Sequence, residues 1–414
     1  MNHKRTLVFL ICALSLLPYA QSQNSTSTPF SVFGIGEIET RDFGRTTGMS
    51  SVGIGLQSEN FLNRLNPAGI AGIDTLRFIL DVSVGMKISE LFNTASRGRT
   101  TDFNFKSLAV GVRLSQRWTS SVGLAPYSNV GYQQTVQMET LGSAEYVNAT
   151  YSGSGGLNKF YWTKAYNPVG GLSLGMTSSL VFGNITHTAE EDIITIKDTY
   201  NASKINFDFG MQYSHWFDRH TNVIVGAVYG YKSPMNMERT QMTVSYNSIV
   251  RNERMPDLKT YIPETYGAGF SILHNRNDAE WILAADYKET KWSADRSRHK
   301  YLRYADSRIL SAGLQFTPST RPTNYVQFMR FKIGGSYHET YLKVNGYQLV
   351  DYSLSFGVGL PFYNQLRQTL SYVNVAVNVG ESATGKRGGI TERYVLLSLN
   401  MSLIERWFAK HQWQ

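Results

Sequence analysis

Apolar and polar side chains alternate with a period of two from about residue 75 to the C-terminus of this 414-residue chain. Residues 394–403 show the pattern best, because every odd position is apolar while Ser398, Asn400 and Ser402 hold even positions. Successive side chains of a β-strand point to opposite faces, so each such segment has one apolar and one largely polar face. The alternation predicts an all-β fold, and the apolar face packs against either a protein core or lipid.

Strand-like runs follow one another without a linker or a shift in composition that would divide the chain. Roughly sixteen runs are visible, and we expect some of them to merge. Fourteen strands over roughly 340 residues leave about 24 for each strand and its connection, which is enough to cross the hydrocarbon layer of a membrane. We expect helix only as short turns near residues 157–165 and in the N-terminal segment. No repeat of the propeller type is visible.

The N-terminus has the layout of a secretory signal peptide, in which Lys4 and Arg5 precede a short apolar run and a polar stretch. We therefore predict a signal peptide over residues 1–22. The one cysteine, Cys12, lies inside the apolar run. The mature chain would then contain neither a disulfide nor a thiolate metal site.

The composition is typical of a transmembrane β-barrel, in which tyrosine and tryptophan form girdles at the membrane surfaces. Aromatic residues make up 13% of the chain, which includes 25 Tyr, and only 17% of residues are charged. The formal net charge is +9, and loss of Lys4 and Arg5 with the signal would lower it by two. This excess suits lipopolysaccharide phosphates, while the secreted context argues against nucleic acid as a partner.

Residues 23–74 differ from the rest, because they are rich in glycine and carry no sustained alternation. Glycine tolerates positive φ and close approach of the backbone, so we predict a compact, irregular segment here. The predicted organisation is thus a signal peptide, an N-terminal segment of residues 23–74, and a barrel of residues 75–414. Trp407-Phe408 after the last strand is also typical of outer-membrane barrels.

Several motifs, taken in order along the chain, resemble the FadL/TodX family of outer-membrane transporters for long-chain fatty acids and other hydrophobic compounds. The first opens the segment at residues 29–37, where the pattern is similar to members from Bacteroidota, including relatives in secretion systems. The others are Asn66-Pro67-Ala68-Gly69, Leu124-Ala125-Pro126-Tyr127-Ser128 with Gly131-Tyr132, residues 263–292, and Lys332-Ile333-Gly334-Gly335-Ser336-Tyr337 followed by residues 346–359.

The resemblance implies a transmembrane antiparallel barrel of about 14 strands, with residues 23–74 as a hatch in its lumen. It implies passive uptake of a hydrophobic ligand such as a long-chain fatty acid, by hatch rearrangement and lateral exit beside a kinked third strand. Hydrophobic ligand, outer-membrane lipid, lipopolysaccharide and the barrel assembly machinery are the expected partners, and no cofactor is expected. The hatch motif is Asn66, Pro67, Ala68 and Gly69, where Asn66 either contacts ligand or only forms a turn.

Pro126 lies in the middle of the third predicted strand. Proline cannot donate a ladder hydrogen bond, so within a closed barrel it requires a bulge or a local opening. Such an opening is tolerated in lipid only where the freed backbone groups find other partners or line a cavity. The candidate lateral gate comprises Gly123, Leu124, Pro126 and Gly131; alternatively, Pro126 lies outside the bilayer.

A fatty-acid-like ligand needs an apolar pocket with one or two cationic groups for its head. The candidate ligand-binding residues combine aromatic rings and guanidinium groups of the N-terminal segment, although each arginine is as well suited to an ion pair with the barrel wall. They are Phe33, Phe43, Phe61, Arg41, Arg45 and Arg64.

Other classes of function remain open. An outer-membrane enzyme is disfavoured, because no Gly-x-Ser-x-Gly elbow is present; a soluble secreted sandwich is a further alternative. The stronger alternative is an outer-membrane adaptor or secretion shuttle that carries protein cargo. Long loops on one barrel end would favour the adaptor, whereas a continuous apolar tunnel ending at Pro126 would favour transport.

Overall fold

Fourteen antiparallel strands form one sheet that closes on itself, because the last strand pairs with the first. This is seen in a computed structural model, which describes residues 26–75, 77–94, 96–139, 146–246, 248–293, 302–319, 324–344, 346–364, 369–385 and 389–406. The closed barrel and its strand count confirm the predicted fold class. The predicted signal peptide and Trp407-Phe408 lie outside the described residues.

Three of the fourteen strands are interrupted and are labelled in two parts. The strands are β1 Arg77–Phe92, β2 Arg97–Arg113, β3 Trp118–Glu139, β4 Tyr146–Val169, β5 Leu172–Glu191, β6 Ile194–Trp216, β7a Thr221–Gly230, β7b Ser233–Ser245, β8a Ser248–Ile262, β8b Glu264–Arg276, β9 Ala279–Lys291, β10a Leu302–Tyr304, β10b Ser307–Thr317, β11 Arg330–Val344, β12 Tyr347–Asn364, β13 Thr369–Ala383 and β14 Thr391–Arg406. A short α-helix, Tyr325–Phe328, precedes β11.

One local prediction was wrong. The expected helical turn near residues 157–165 is part of β4, where Leu157, Tyr161 and Ala165 are buried and Phe160 and Trp162 are exposed. That burial has the period of a strand, which overrides weak helical propensity. A turn separates β11 from β12, and Gly346 in this turn adopts a φ of +87°. Glycine populates this left-handed region without the steric penalty of a side chain.

The apolar wall of the barrel faces outward. In β6, Ile205, Phe207 and Phe209 are exposed, whereas Asn206 and Gln212 on the other face are buried. A polar interior and an apolar exterior are the arrangement of a barrel that spans a membrane. The alternation in the sequence therefore has lipid, and not a protein core, on its apolar side.

The described N-terminal residues form three 3₁₀-helices, Pro29–Val32, Thr47–Met49 and Pro67–Gly72, and a two-residue strand, Glu37–Ile38. Among the described residues no helix is long and apolar enough to cross a membrane. The segment bonds to inward-facing side chains on many sides of the barrel. These contacts pair Ser27 with Asp102 of β2, Ser50 with Ser355 of β12, Gly53 with Asp286 of β9 and Gln57 with Ser173 of β5.

One side of the barrel is taller than the other. Strands β3 to β6 have 20 to 24 residues, whereas β9 has 13 and β11 has 15. β7b and β8a pair with each other beyond the end of the ladder that joins β8b to β9. Strands β3 to β8 thus extend beyond the rest of the wall at one end.

Candidate functional site: a lateral opening beside a charged cavity

The barrel wall is incompletely paired between β2 and β3. Their ladder runs from the pair Arg113 and Thr119 to the pair Leu108 and Leu124, and it ends there. Above it, β2 remains paired with β1, while β3 remains paired with β4. The two strands therefore separate over the upper part of the wall.

A bulge turns β3 away from β2. Pro126 pairs with Asn158 and Ser128 pairs with Leu157, so Tyr127 is an extra residue in β3. A bulge bends its strand and increases the local twist. On the partner strand, Gly155 and Gly156 adopt φ values of +99° and +151°. A side chain at either position would be strained, so the bend depends on these glycines.

The N-terminal segment takes the place of β2 along the separated edge of β3. Glu37 and Ile38 pair with Asn129 and Ser128. The amide of Glu39 donates to the carbonyl oxygen of Tyr127 at 3.0 Å. The hydroxyl of Ser31 accepts from the amide of Gly131 and donates to its carbonyl oxygen, both at 3.0 Å. These bonds satisfy backbone groups that separation from β2 leaves open.

The four candidate gate residues lie along this boundary. Gly123 pairs with Ala109 and Leu124 ends the ladder, so both lie at its upper limit. Pro126 is at the bulge, and Gly131 is bonded to Ser31. Proline therefore coincides with a bulge and a local opening, as its chemistry requires. Whether the opening passes a ligand stays a prediction.

The motif Asn66 to Gly69 is buried against the barrel wall. The Asn66 side chain accepts from the amide of Ala68 at 3.0 Å and caps the 3₁₀-helix. Its amide group also donates to the carbonyl oxygens of Ile54 and Met211, at 2.8 and 3.1 Å. Asn66 is therefore both a turn former and a link to β6, and its contact with ligand stays a prediction.

A cavity of about 350 Å³ lies between the N-terminal segment and the wall, and Pro126 borders it. Arg41 and Asp351 form an ion pair of 2.9 Å across it, and Lys106 and Glu39 form one of 2.7 Å. Further pairs join Lys87 to Glu392 at 2.8 Å and to Glu37 at 3.5 Å, and Lys159 to Asp208 at 2.9 Å.

Aromatic rings, among them Tyr127, Tyr161 and Tyr394, complete the lining. The cavity therefore reaches the opening, and its lining mixes ion pairs with apolar side chains such as Ile262 and Leu349, whereas a continuous apolar tunnel would favour transport. No group of three or more His, Cys, Asp or Glu within the described ranges is placed to hold a metal ion.

Three of the six candidate ligand-binding residues border this cavity, namely Arg41, Phe43 and Arg64. Arg41 pairs with the wall through Asp351 and also bonds to Tyr394, while Arg64 pairs with Asp42 of its own segment. The Lys106 ammonium lies 4.4 Å from the centre of the Phe43 ring. Each of these side chains is therefore engaged within the protein.

The other three candidates lie elsewhere. Phe33 does not border the cavity but packs against an apolar cluster whose members Trp292 and Tyr341 do, and Phe61 is buried with Met49 and Val52. Arg45 donates to Ser58 and Gln315, and burial together with the nearby Arg330 lowers the pKa of Arg45 to about 9. Their sequence proximity to Arg41 did not bring these residues to one pocket, because the irregular segment turns between them.

Sequence reasoning missed the charged residues of the wall that meet the N-terminal segment. Lys87, Lys106, Asp286, Asp351 and Glu392 all occupy strands. The available signal was a charged residue at an inward position of an alternating run, because inward side chains of a barrel need polar partners when a segment covers them.

The Glu37 carboxylate gives this contact a pH dependence. Burial raises the pKa of Glu37, but Lys87, a hydrogen bond from Thr26 and Lys106 outweigh burial and hold it below the ordinary value. The carboxylate therefore stabilises the folded state fully above the ordinary glutamate pKa, and this contribution is lost as the pH falls through the lowered value. We expect the protection of residues 26–42 against hydrogen exchange, corrected for the intrinsic pH dependence of exchange, to fall as the pH drops below the ordinary glutamate pKa. A Glu37→Gln variant should exchange faster at neutral pH and lose most of that pH dependence. Equal pH dependence in both chains would contradict this role.

The family of the chain follows from a match that extends over almost its full length. A model of the family described as BamG matches residues 2–414. The chain belongs to the BamG family. No curated protein matches it in the corresponding comparison.

Solved structures share the fold of this BamG family member. The P. putida toluene transporter TodX is 14% identical with a TM-score of 0.60, covering 90% of this chain and 100% of TodX. A Pseudomonas aeruginosa FadL homologue is 11% identical with a TM-score of 0.60, covering 90% of this chain and 100% of that one. The CymD monoaromatic hydrocarbon channel is 15% identical with a TM-score of 0.56, covering 92% and 100%. With its apolar outer face, this FadL-type barrel is a protein of the bacterial outer membrane.

Proposed function

We propose that this BamG family member is an outer-membrane adaptor subunit of a barrel assembly machinery. The observation that carries the proposal is the match of that family, whose name points to such a machinery, to almost the whole chain. The adaptor was the alternative left open by the sequence, and the barrel assembly machinery was an expected partner. The FadL-type barrel then serves as a membrane-embedded scaffold.

The charged interior supports a scaffold over a channel for apolar ligands. Breaking a buried ion pair costs about 3–5 kcal/mol, because it leaves an uncompensated charge. Passage of a hydrophobic molecule past Arg41 with Asp351, or past Lys106 with Glu39, would disrupt such pairs. An apolar ligand would offer these groups nothing in return.

The taller side of the barrel also supports an adaptor. The extension of β3 to β8 provides a surface beyond the membrane without long irregular loops. Its hairpin tips carry exposed apolar side chains, including Tyr246, Ile249 and Val250. Exposed apolar groups at a tip in water are typical of a contact surface for another protein.

A second candidate function is uptake of a small hydrophobic compound. The observation that favours it is the separation of β2 from β3 beside Pro126, where the cavity meets the wall. Lateral exit at Gly123, Leu124, Pro126 and Gly131, and rearrangement of residues 23–74 as a hatch, would belong to this function. A fatty acid or an aromatic hydrocarbon is the corresponding ligand class.

Purification from native membranes tests the adaptor directly. The full chain carries an affinity tag, membranes are solubilised in mild detergent, and bound proteins are quantified by mass spectrometry. We expect the central barrel of the assembly machinery in near-equal amount. Depletion of the chain should lower the levels of unrelated outer-membrane barrels, because their assembly would lose a subunit.

A second outer-membrane barrel with the same tag and similar abundance is the matched control. It should not retain the assembly machinery after the same washes. If the chain purifies alone, and its depletion affects only uptake of hydrophobic compounds, the adaptor function is wrong and the second candidate stands.

A further inference from the structure

We infer that an arginine patch on the outer face of the barrel binds the phosphate group of a membrane lipid. The arginine patch comprises Arg97 and Arg99 of β2 and Arg393 of β14, all of which are exposed. The acyl chains of that lipid would lie against the apolar wall beside the patch. This inference goes beyond the proposed function, because it assigns residues to a lipid and not to the assembly machinery.

Strand β1 brings the three arginines together, because it lies between β2 and β14. Glu90 of β1 is opposite Arg99 on one side and opposite Arg393 on the other. Arg97 approaches the same carboxylate, with its Nε atom 2.7 Å from Glu90. Side chains at opposite or diagonal positions on one face of a sheet are within reach of each other. The arginine patch is therefore centred on one carboxylate.

The arginine patch has three cations for the two carboxylates with which it pairs. Arg97 pairs with Glu90, and this pair is exposed. The Nε atom of Arg393 bonds to Glu381 at 2.7 Å, again in an exposed pair. Arg99 forms no ion pair with a residue in the described ranges. Exposed pairs are weak, and a guanidinium group has several N–H donors, so Arg97 and Arg393 can still donate to a phosphate beside Arg99.

The outer face changes from charged to apolar directly beside the arginine patch. Beyond Thr101 on β2, Phe103 and Phe105 are 59% and 44% exposed. On β14, Leu397 and Leu399 are exposed as well. Such a change is expected where the wall of a barrel leaves the hydrocarbon layer. A membrane lipid has its phosphate next to its acyl chains, and arginine binds phosphate through parallel N–H···O bonds. The patch and the wall beside it therefore match the two parts of such a lipid.

Strands β9 to β11 have the reverse charge balance at the same end of the barrel. Arg308 of β10b pairs with Glu289 and Glu339, at 3.2 and 3.8 Å. Lys291 pairs with Glu289 and with Asp306, at 2.9 and 3.2 Å. Three carboxylates thus meet two cations, and a phosphate would be repelled by the excess negative charge. This contrast makes Arg308 a control for the arginine patch.

Native mass spectrometry of the full chain during lipid titration tests the arginine patch. The purified chain is stripped of lipid in detergent and titrated with dioleoylphosphatidylglycerol, with lipid A, or with dioleoylglycerol, which has no phosphate. A triple variant, Arg97→Gln with Arg99→Gln and Arg393→Gln, removes the patch. Arg308→Gln is the matched control, because it removes one exposed arginine from the same end of the barrel.

We expect a phosphate-bearing lipid to bind the triple variant about tenfold or more weakly than it binds the unaltered chain. Arg308→Gln should bind that lipid as the unaltered chain does, and dioleoylglycerol should not distinguish the three chains. Tighter binding of lipid A would identify lipopolysaccharide as the source of the phosphate, and tighter binding of dioleoylphosphatidylglycerol would identify a glycerophospholipid. Equal binding to the triple variant and the unaltered chain, or an equal loss in Arg308→Gln, would overturn the inference.

A Glu90→Gln variant provides a second test, in which affinity is gained. Loss of this carboxylate releases Arg97 and removes the negative charge at the centre of the arginine patch. A phosphate-bearing lipid should therefore bind about threefold or more tightly than it binds the unaltered chain. A damaged barrel would not gain affinity, so this result does not depend on the folding of the triple variant. Unchanged or weaker binding to Glu90→Gln would overturn the inference.

Discussion

An Asp42→Ala variant is expected to loosen the middle of the N-terminal segment inside the barrel. The Asp42 side chain is 1% exposed and pairs with Arg64, which is 18% exposed. The Nε atom of Arg64 adds a second hydrogen bond of 2.9 Å to the same oxygen. Removal of one partner leaves the other charge buried and uncompensated, at a cost of about 3–5 kcal/mol.

Hydrogen exchange of residues 42–66 measures this loss. We expect exchange to accelerate by roughly two to three orders of magnitude, while the barrel strands keep their protection. A double variant, Asp42→Ala with Arg64→Met, removes both charges and should recover part of the loss. Glu253→Gln breaks an exposed pair with Arg251 and should leave exchange unchanged. If Asp42→Ala behaves like Glu253→Gln, the pair does not hold the segment.

A Gly226→Ala variant is expected to push the same segment away from the wall by contact alone. A methyl group at Gly226 of β7a would overlap the carbonyl group of Ile54 and lie 3.0 Å from the Asn66 amide nitrogen. Overpacking of a filled interior costs about 1–3 kcal/mol, and more where backbone must move. We expect faster exchange of residues 54–69, with loss of the bond from Asn66 to Ile54.

Gly335→Ala is the matched control, because its new methyl group would lie 3.5 Å from Leu354 in ordinary contact. Both substitutions add one methyl group to a glycine in a strand. Protease digestion of the folded barrels should therefore cut the N-terminal segment of the Gly226 variant sooner. Equal digestion of the two variants would show that the Asn66 turn does not depend on close approach to the wall.

The wall was largely predictable, because its signal is local. Alternation in β6 and β14 identified strands, and the family resemblance implied about fourteen of them, a number that the length of the chain accommodates. The prediction of a helical turn near residues 157–165 was wrong. Gly155 and Gly156 interrupt the local alternation, but pairing with a strand on each side keeps β4 extended. Propensity is a weak guide where two neighbouring strands already fix the backbone.

Pro126 was informative before any pairing was known, because proline lacks the donor that a ladder needs. The sequence located the disturbance in β3, and the register shift between Pro126 and Ser128 lies there. It did not indicate that β3 would pair with residues 37–38 instead of β2. That exchange of partners joins segments about ninety residues apart and depends on the shape of the closed barrel.

The sequence by itself determined the all-β wall and the position of the break, since these follow from side-chain alternation and from the chemistry of one proline, whereas the alternation left open whether the apolar face meets lipid or a protein core. Only the tertiary structure decided what lies behind that break. Arg41, Phe43 and Arg64 meet at the cavity while Phe33, Arg45 and Phe61 do not, although all six are close in sequence. An irregular segment has no period from which side-chain directions follow, so contacts with distant strands such as β9 and β12 set its path. The charged groups at the cavity have the same origin, because a buried charge of the segment needs a partner, on the wall as for Arg41 with Asp351 or within the segment as for Arg64 with Asp42.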